Sequence, residues 1–318
     1  MNESPSDTNP VAVASVAPVA LDAPGRAVDL QLRVSAPVTG NDLPIVLLSH
    51  GLGHSGHLSS LDGYAPLAHY WAARGFVVIQ PTHLDSMTLA DHPALKQPAA
   101  QAVPHWRSRA EDMTFILDRL EAIAALVPQL SGRLDPSRVA VAGHSMGGHT
   151  AGLLLGASLI DPAGGNPVSL AEPRIAAGIL FAAPGRGDAV TDFVSQHYPF
   201  LATSDFATMT TPALVVAGDK DASPHLTAAG PDWHVDAYTF APGPKSLLTL
   251  YGAEHGLGGI SGYDVAETTD ENPERVATLQ RVTLAYLRSA LTGDDSDWTR
   301  TRAEMADGSH PIGRIDSK

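Results

Sequence analysis

The amino-acid sequence predicts an α/β protein built on a mostly parallel, doubly wound sheet with helices on both faces. Six apolar runs supply the strands: Leu43–Ser49, Phe76–Gln80, Arg138–Ala142, Ile175–Ala182, Ala213–Ala217 and Ser246–Tyr251. Most are continuously apolar rather than alternating, as central strands covered on both sides must be. Segments with helical periodicity lie between them, and alternating strands and helices generate parallel pairing.

Taken in order, Ala27–Val34 (AVDLQLRV) alternates apolar and polar residues and reads as an outer strand with one wet face. Leu61–Arg74 reads as a helix stopped by Gly75. Arg107–Leu126 places Met113, Ile116, Leu117, Leu120 and Ile123 three or four apart, the stripe of a helix facing a core. Thr150–Leu159 is a small-residue helix, and Pro273–Leu291 closes the fold. Residues 81–106 and 183–211 are long and aperiodic, which marks them as binding loops or lids.

These elements define a domain over residues 27–292. Residues 1–26 contain an Ala/Val-rich stretch, but Glu3 and Asp7 precede it without any basic residue, and Pro10 and Pro18 bracket it. A secretory signal needs a basic start, so this segment is expected to be a flexible leader and the compartment the cytoplasm. Residues 293–318 are polar and are expected to trail the domain as a tail, with Trp298 as an anchor for part of it.

The formal net charge of −14 argues against a nucleic-acid partner and against attraction to anionic membranes. No apolar run is long enough to span a bilayer. With no cysteine in 318 residues, disulfides, thiolate metal sites and cysteine nucleophiles are all excluded.

Chemistry is concentrated in three places. Gly143-His144-Ser145-Met146-Gly147 matches G-x-S-x-G, with an apolar strand before it and a small-residue helix after it. Such a turn lifts a hydroxyl off a strand end in a strained conformation, and the glycines avoid clashes between strand and helix. A serine nucleophile needs a base, and the base needs an orienting carboxylate, in the chain order nucleophile, acid, base. After Ala213–Ala217 come Asp219 and Asp221. Asp221 is the favoured acid, because a residue two places beyond the turn can swing back over the sheet edge. Asp219 would instead hydrogen-bond the loop backbone. After Ser246–Tyr251 comes Gly252-Ala253-Glu254-His255-Gly256, which puts His255 where the base belongs.

The loop His50–Gly56 (HGLGHSG) contains the literal spelling of a dinucleotide-binding loop, Gly51-x-Gly53-x-x-Gly56. No helix follows it directly, and the next strand ends in Gln80 rather than a ribose-binding acid. The better reading is an oxyanion loop, with the backbone N–H of Leu52 aimed at the same point as that of Met146. His50, His54 and His57 raise the question of a metal, but no carboxylate cluster accompanies them, and none is expected.

Together VLLSHGLG, ARGFVVIQPTH, RAEDMTFILDRL, VAGHSMGG, VVAGDKD and GAEHG resemble the α/β-hydrolase superfamily over roughly residues 28–291. SHGLG with the following RGFVV is similar to the platelet-activating-factor acetylhydrolase, chlorophyllase and dienelactone-hydrolase-like branch, and GHSMGG is similar to bacterial cutinases and polyester hydrolases. The resemblance implies the α/β-hydrolase fold and a cofactor-free serine esterase. It carries Ser145 over as nucleophile, His255 as base, and Leu52 and Met146 as oxyanion donors. Dienelactone hydrolases use a cysteine and secreted cutinases a disulfide, and this chain has neither. In the acetylhydrolase the acid follows the strand after the serine, where this chain reads FAAPGRGD, so the acid shifts to Asp221. The expected partner is a small-molecule ester with an apolar acyl or alcohol group. A thioesterase, an amidase, a non-catalytic binding protein and a nicotinamide oxidoreductase remain as rivals.

Overall fold

The computed structural model describes residues 10–96, 105–262, 265–307 and 309–318. Its strands are β1 (Val13–Leu21), β2 (Leu30–Pro37), β3 (Leu43–Ser49), β4 (Val77–Pro81), β5 (Leu134–His144), β6 (Ser158–Ile160), β7 (Pro167–Ser169), β8 (Ile175–Phe181), β9 (Ala213–Gly218), β10 (Lys245–Leu250) and β11 (Gly313–Ser317). Strands β6 and β7 pair as a separate ribbon. The other nine form one sheet in the order β1-β2-β4-β3-β5-β8-β9-β10-β11. The run from β4 to β10 is parallel throughout, and only β1, β2 and β11 run against their neighbours.

Strand β3 shows why the central runs are continuously apolar. Ile45 and Leu47 enter one core, while Val46 and Leu48 enter the other. The first core is closed by Met113 and Ile116 of α2 (Trp106–Asp118), Ile123 of α3 (Leu120–Leu126) and Leu154 of α4 (Met146–Leu154). The second is closed by Trp71 of α1 (Ala65–Ala72) and by Leu279 and Val282 of α7 (Pro273–Thr292). Two short helices, α5 (Asp192–His197) and α6 (Asp236–Phe240), lie in the connections around β9. Helix α8 is Ser296–Met305.

Four expectations need correction. The leader through residue 26 is in part a strand: β1 pairs antiparallel with β2, and Val19 and Leu21 are buried. A bulge between Val16 and Val19 spans Pro18, which cannot donate to the ladder. Residues 1–9 lie outside the described residues. The tail from 293 also belongs to the fold. The Trp298 ring on α8 meets Tyr286 edge-on at 5.3 Å, and β11 pairs with β10, burying Ile315. Both segments carry edge strands, which bury only part of their residues. Finally, the helix expected over Thr150–Leu159 is α4 and begins at Met146, while Arg107–Leu126 divides into α2 and α3 at Arg119 (φ −120°). Among the described residues, no helix is long and apolar enough to cross a membrane.

Candidate active site

The parallel strands deliver their following loops to one edge. Leu52 follows β3, Ser145 follows β5, Asp221 follows β9 and His255 follows β10. All four line a single cavity of about 1010 Å³, as does Met146.

Ser145 has φ 55° and ψ −119°, a backbone state that only tight surroundings maintain. Its N–H donates to the Phe181 carbonyl at 2.9 Å, and its carbonyl accepts from His149 N–H at 3.1 Å, so the turn is pinned to β8 and to α4. A Cβ on Gly143 would be driven into the Gly147 carbonyl oxygen, and one on Gly147 into that of Ser49. The close approach of β5, α4 and β3 therefore requires glycine at both positions. The amides of Leu52 and Met146 donate to no protein acceptor among the described residues, although both residues line the cavity.

Across the cavity, His255 Nδ1 lies 2.7 Å from Asp221 Oδ2. The imidazole is about a third exposed and the carboxylate almost wholly buried. Ser223 Oγ–H donates to Asp221 Oδ1 at 2.7 Å. Burial opposes ionisation of Asp221, but hydrogen bonds from His234 and His255 outweigh it and hold the carboxyl well below the usual carboxylate range. Asp219 behaves as its turn position suggests: its Oδ1 accepts from the Gly252 N–H at 2.7 Å. Between Ser145 and His255 the structure contains a shared cavity wall and no hydrogen bond. Such contacts commonly tighten only when substrate is bound.

Sequence reasoning missed three parts of this site. His234 Nε2 sits 3.2 Å from Asp221 Oδ2, the same oxygen that His255 contacts. Tyr64 Oη accepts from Gly51 N–H at 2.9 Å and lies 3.0 Å from His144 Nδ1. His144 Nε2 in turn lies 2.8 Å from the His255 carbonyl oxygen. Burial, then the neighbouring His255, push the His144 pKa down to about 3, so the ring is neutral. The carbonyl needs a donor, which places the proton on Nε2 and makes Nδ1 the acceptor of the tyrosine hydroxyl. One chain of hydrogen bonds thus ties the Gly51 loop, the serine turn and the backbone of His255. No local pattern in the sequence announces it, because its members come from four distant segments.

The third missed feature is a buried trio that mimics a triad. Ser49 Oγ is 2.9 Å from His83 Nε2, and His83 Nδ1 is 2.9 Å from Asp112 Oδ2. Neither Ser49, His83 nor Asp112 lines the large cavity. Asp112 is neutralised by Arg26 at 2.8 Å, and His83 N–H donates to His50 Nε2 at 3.0 Å. This group braces the start of the glycine loop from behind.

His50 is therefore buried in that brace, whereas His54 and His57 are exposed, and the three do not converge. Among the described residues, the cluster with metal-ligand chemistry is Asp221, His234 and His255. Its two ring nitrogens lie 3.2 and 2.7 Å from Asp221 Oδ2, at hydrogen-bond spacing. The glycine loop is also occupied on its amide side: Glu267 accepts from Ser55 N–H at 2.7 Å and from Ser55 Oγ–H at 2.8 Å. A carboxylate there repels the pyrophosphate that the G-x-G-x-x-G spelling suggested.

Compared with known proteins, the chain matches no protein-family model and no curated protein sequence.

Proposed function

We propose that the protein is a serine hydrolase of the α/β-hydrolase type that cleaves carboxylic esters through an acyl-enzyme intermediate. One observation carries this reading: the strained Ser145 turn opens into the same cavity as His255, whose Nδ1 is held by the ionised Asp221. The chain order nucleophile, acid, base supports it further.

In this reading His255 Nε2 takes the Ser145 proton as Oγ attacks the acyl carbon. Asp221 holds the imidazole with Nδ1 protonated and stabilises its charged form. The free amides of Leu52 and Met146 receive the developing oxyanion, and each such donor is worth about 3 kcal/mol of barrier. His255 then protonates the leaving alcohol, and a water activated by the same imidazole releases the acid.

The cavity wall supports a substrate with an apolar acyl group. Trp106 and Phe200 stack with centroids 6.1 Å apart, and Met146 and Leu201 pack with them beside the serine. Both long connections contribute to this wall, Trp106 from the first and Phe200 from the second. Hydrolysis of p-nitrophenyl esters of increasing acyl length, with matched thioesters and anilides, tests the proposal. Ester turnover lost in Ser145→Ala supports it. Turnover that survives the substitution, or no turnover of any acyl substrate, contradicts it.

A further inference from the structure

Two loops of the candidate site reach the cavity from different strands. The glycine loop after β3 carries Leu52, and the loop after β10 carries His255. In the sheet β3 and β10 are separated by β5, β8 and β9, so strand pairing does not set one loop against the other. The chain through Tyr64 and His144 ties their near sides. The segment 267–270, just before α7, touches both loops again from the other side.

Glu267 holds the far end of the glycine loop: Oε1 accepts from Ser55 N–H at 2.7 Å and Oε2 from Ser55 Oγ–H at 2.8 Å. Burial opposes ionisation of Glu267, but the hydrogen bonds from Ser55 outweigh it and hold the carboxyl below its ordinary range. With Gly51 N–H held by Tyr64, Leu52 lies between two anchored amides. Three residues on, Asp270 Oδ2 accepts from Glu254 N–H at 2.9 Å and from Gly258 N–H at 3.0 Å. His255 therefore also lies between two anchored amides, and both rest on one oxygen atom. Arg275 Nη1 reaches that oxygen at 3.2 Å, while its Nη2 donates to the Tyr251 carbonyl at 3.1 Å. Asn272 completes the anchor: its N–H donates to the Gly258 carbonyl at 3.0 Å, and its side chain caps α7 by accepting from Arg275 N–H at 2.9 Å.

Each loop carries a glycine where a carboxylate passes. A Cβ on Gly53, next to Leu52, would stand 2.6 Å from Glu267 Oε1. One on Gly256, next to His255, would stand 2.9 Å from Asp270 Oδ1. The two close approaches place the segment directly against the residues that flank the proposed oxyanion donor and the proposed base.

We propose that Glu267 and Asp270 are a pair of positioning residues, a carboxylate strap that fixes the loop of Leu52 against the loop of His255. Three residues of backbone span at most about 11 Å, so the strap leaves the two loops little independent movement. Neither carboxylate lines the cavity, and each acts through the loop that it holds. The catalytic consequence rests on the hydrolase reading, but the coupling of the loops does not.

Hydrogen exchange read by mass spectrometry on the full-length protein tests the coupling. In Glu267→Ala the amides of 51–56 are expected to exchange about tenfold faster, and those of 254–258 to speed up with them, while β3 and β10 stay protected. Faster exchange confined to 51–56 overturns the strap. Kinetics on p-nitrophenyl esters test the consequence. A misplacement of about 1 Å costs about a hundredfold in rate, so Glu267→Ala is expected to lower kcat about tenfold to a hundredfold with KM within about twofold of wild type. Asp270→Asn keeps an acceptor oxygen for both amides and should retain kcat, whereas Asp270→Ala should lose it as Glu267→Ala does. A merely structural role would lower Tm and leave kcat in place. Unchanged kcat in Glu267→Ala, or a loss in Asp270→Asn of about tenfold or more, overturns the positioning role even where Asp270→Ala does not fold. If wild-type protein shows no hydrolysis and Ser145 resists labelling, the hydrolase reading fails by itself, and hydrogen exchange still decides whether the strap couples the loops.

Discussion

Replacing Tyr64 with phenylalanine removes one buried hydroxyl and breaks a link between three parts of the site. The hydroxyl accepts from Gly51 N–H at 2.9 Å and donates to His144 Nδ1, 3.0 Å away. Both partners are buried, as is Tyr64, so water cannot replace the lost contacts. Each of the two orphaned groups costs about 1–3 kcal/mol, which gives about 2–6 kcal/mol for the substitution. Urea denaturation with linear extrapolation reads that difference directly. Tyr64 does not line the cavity, so substrate binding should be little changed and KM should stay near its wild-type value. The loop bearing Leu52 and the backbone of His255 lose their common anchor, and kcat is expected to fall about tenfold to a hundredfold, the equivalent of about 1.4–3 kcal/mol of barrier. A variant within about 0.5 kcal/mol of wild type, with unchanged kcat, would refute the claim that this hydrogen-bond chain holds the site together.

Asp221→Asn should lower kcat by about 10⁴ by disturbing the tautomer of His255, while Asp219→Asn should have little kinetic effect; steady-state rates of the two variants separate the rival carboxylates. Gly143→Ala should destabilise by about 3 kcal/mol or fail to fold, because its methyl meets the Gly147 carbonyl; a soluble variant of wild-type stability contradicts the strained turn. Phe200→Ala should raise KM for long acyl chains while sparing acetyl esters, which a chain-length series with both enzymes measures. Stability should also fall in acid. Burial holds the pKa of His144 and of His149 down at about 3, whereas an unfolded histidine titrates near 6.5. Above pH ~6.5 both states are neutral and the contribution is complete. Below it the unfolded chain takes up protons that the fold refuses, and the pair costs about 3 kcal/mol per pH unit until the folded groups titrate. Urea midpoints that stay level between pH 7.5 and 5 would contradict this.

Most of the sheet was legible because buried parallel strands are apolar on both faces: β3, β9 and β10 lie within a residue or so of the runs read from sequence. The edges were not legible. Strand β1 carries Pro18, and β11 (GRIDS) carries Arg314 and Asp316, so neither shows a central strand's pattern. Both nonetheless bury their inward residues against neighbours supplied by the fold. The same division holds at the candidate site. Ser145, Asp221 and His255 each follow a recognisable strand, and their positions could be read one at a time. His234 lies in the short turn Gly230–Val235, and Tyr64 precedes α1 in a left-handed conformation (φ 63°). Their roles depend on what packs against them, which composition and spacing do not record.

The central claim is that Ser145 is an activated nucleophile served by His255. Reaction with a fluorophosphonate, followed by peptide mass spectrometry, tests it without knowledge of the natural substrate. The account predicts a single adduct on Ser145 that forms rapidly in the wild-type protein and is lost or greatly slowed in His255→Ala. Labelling of a different residue, or equal labelling rates with and without the imidazole, would contradict it.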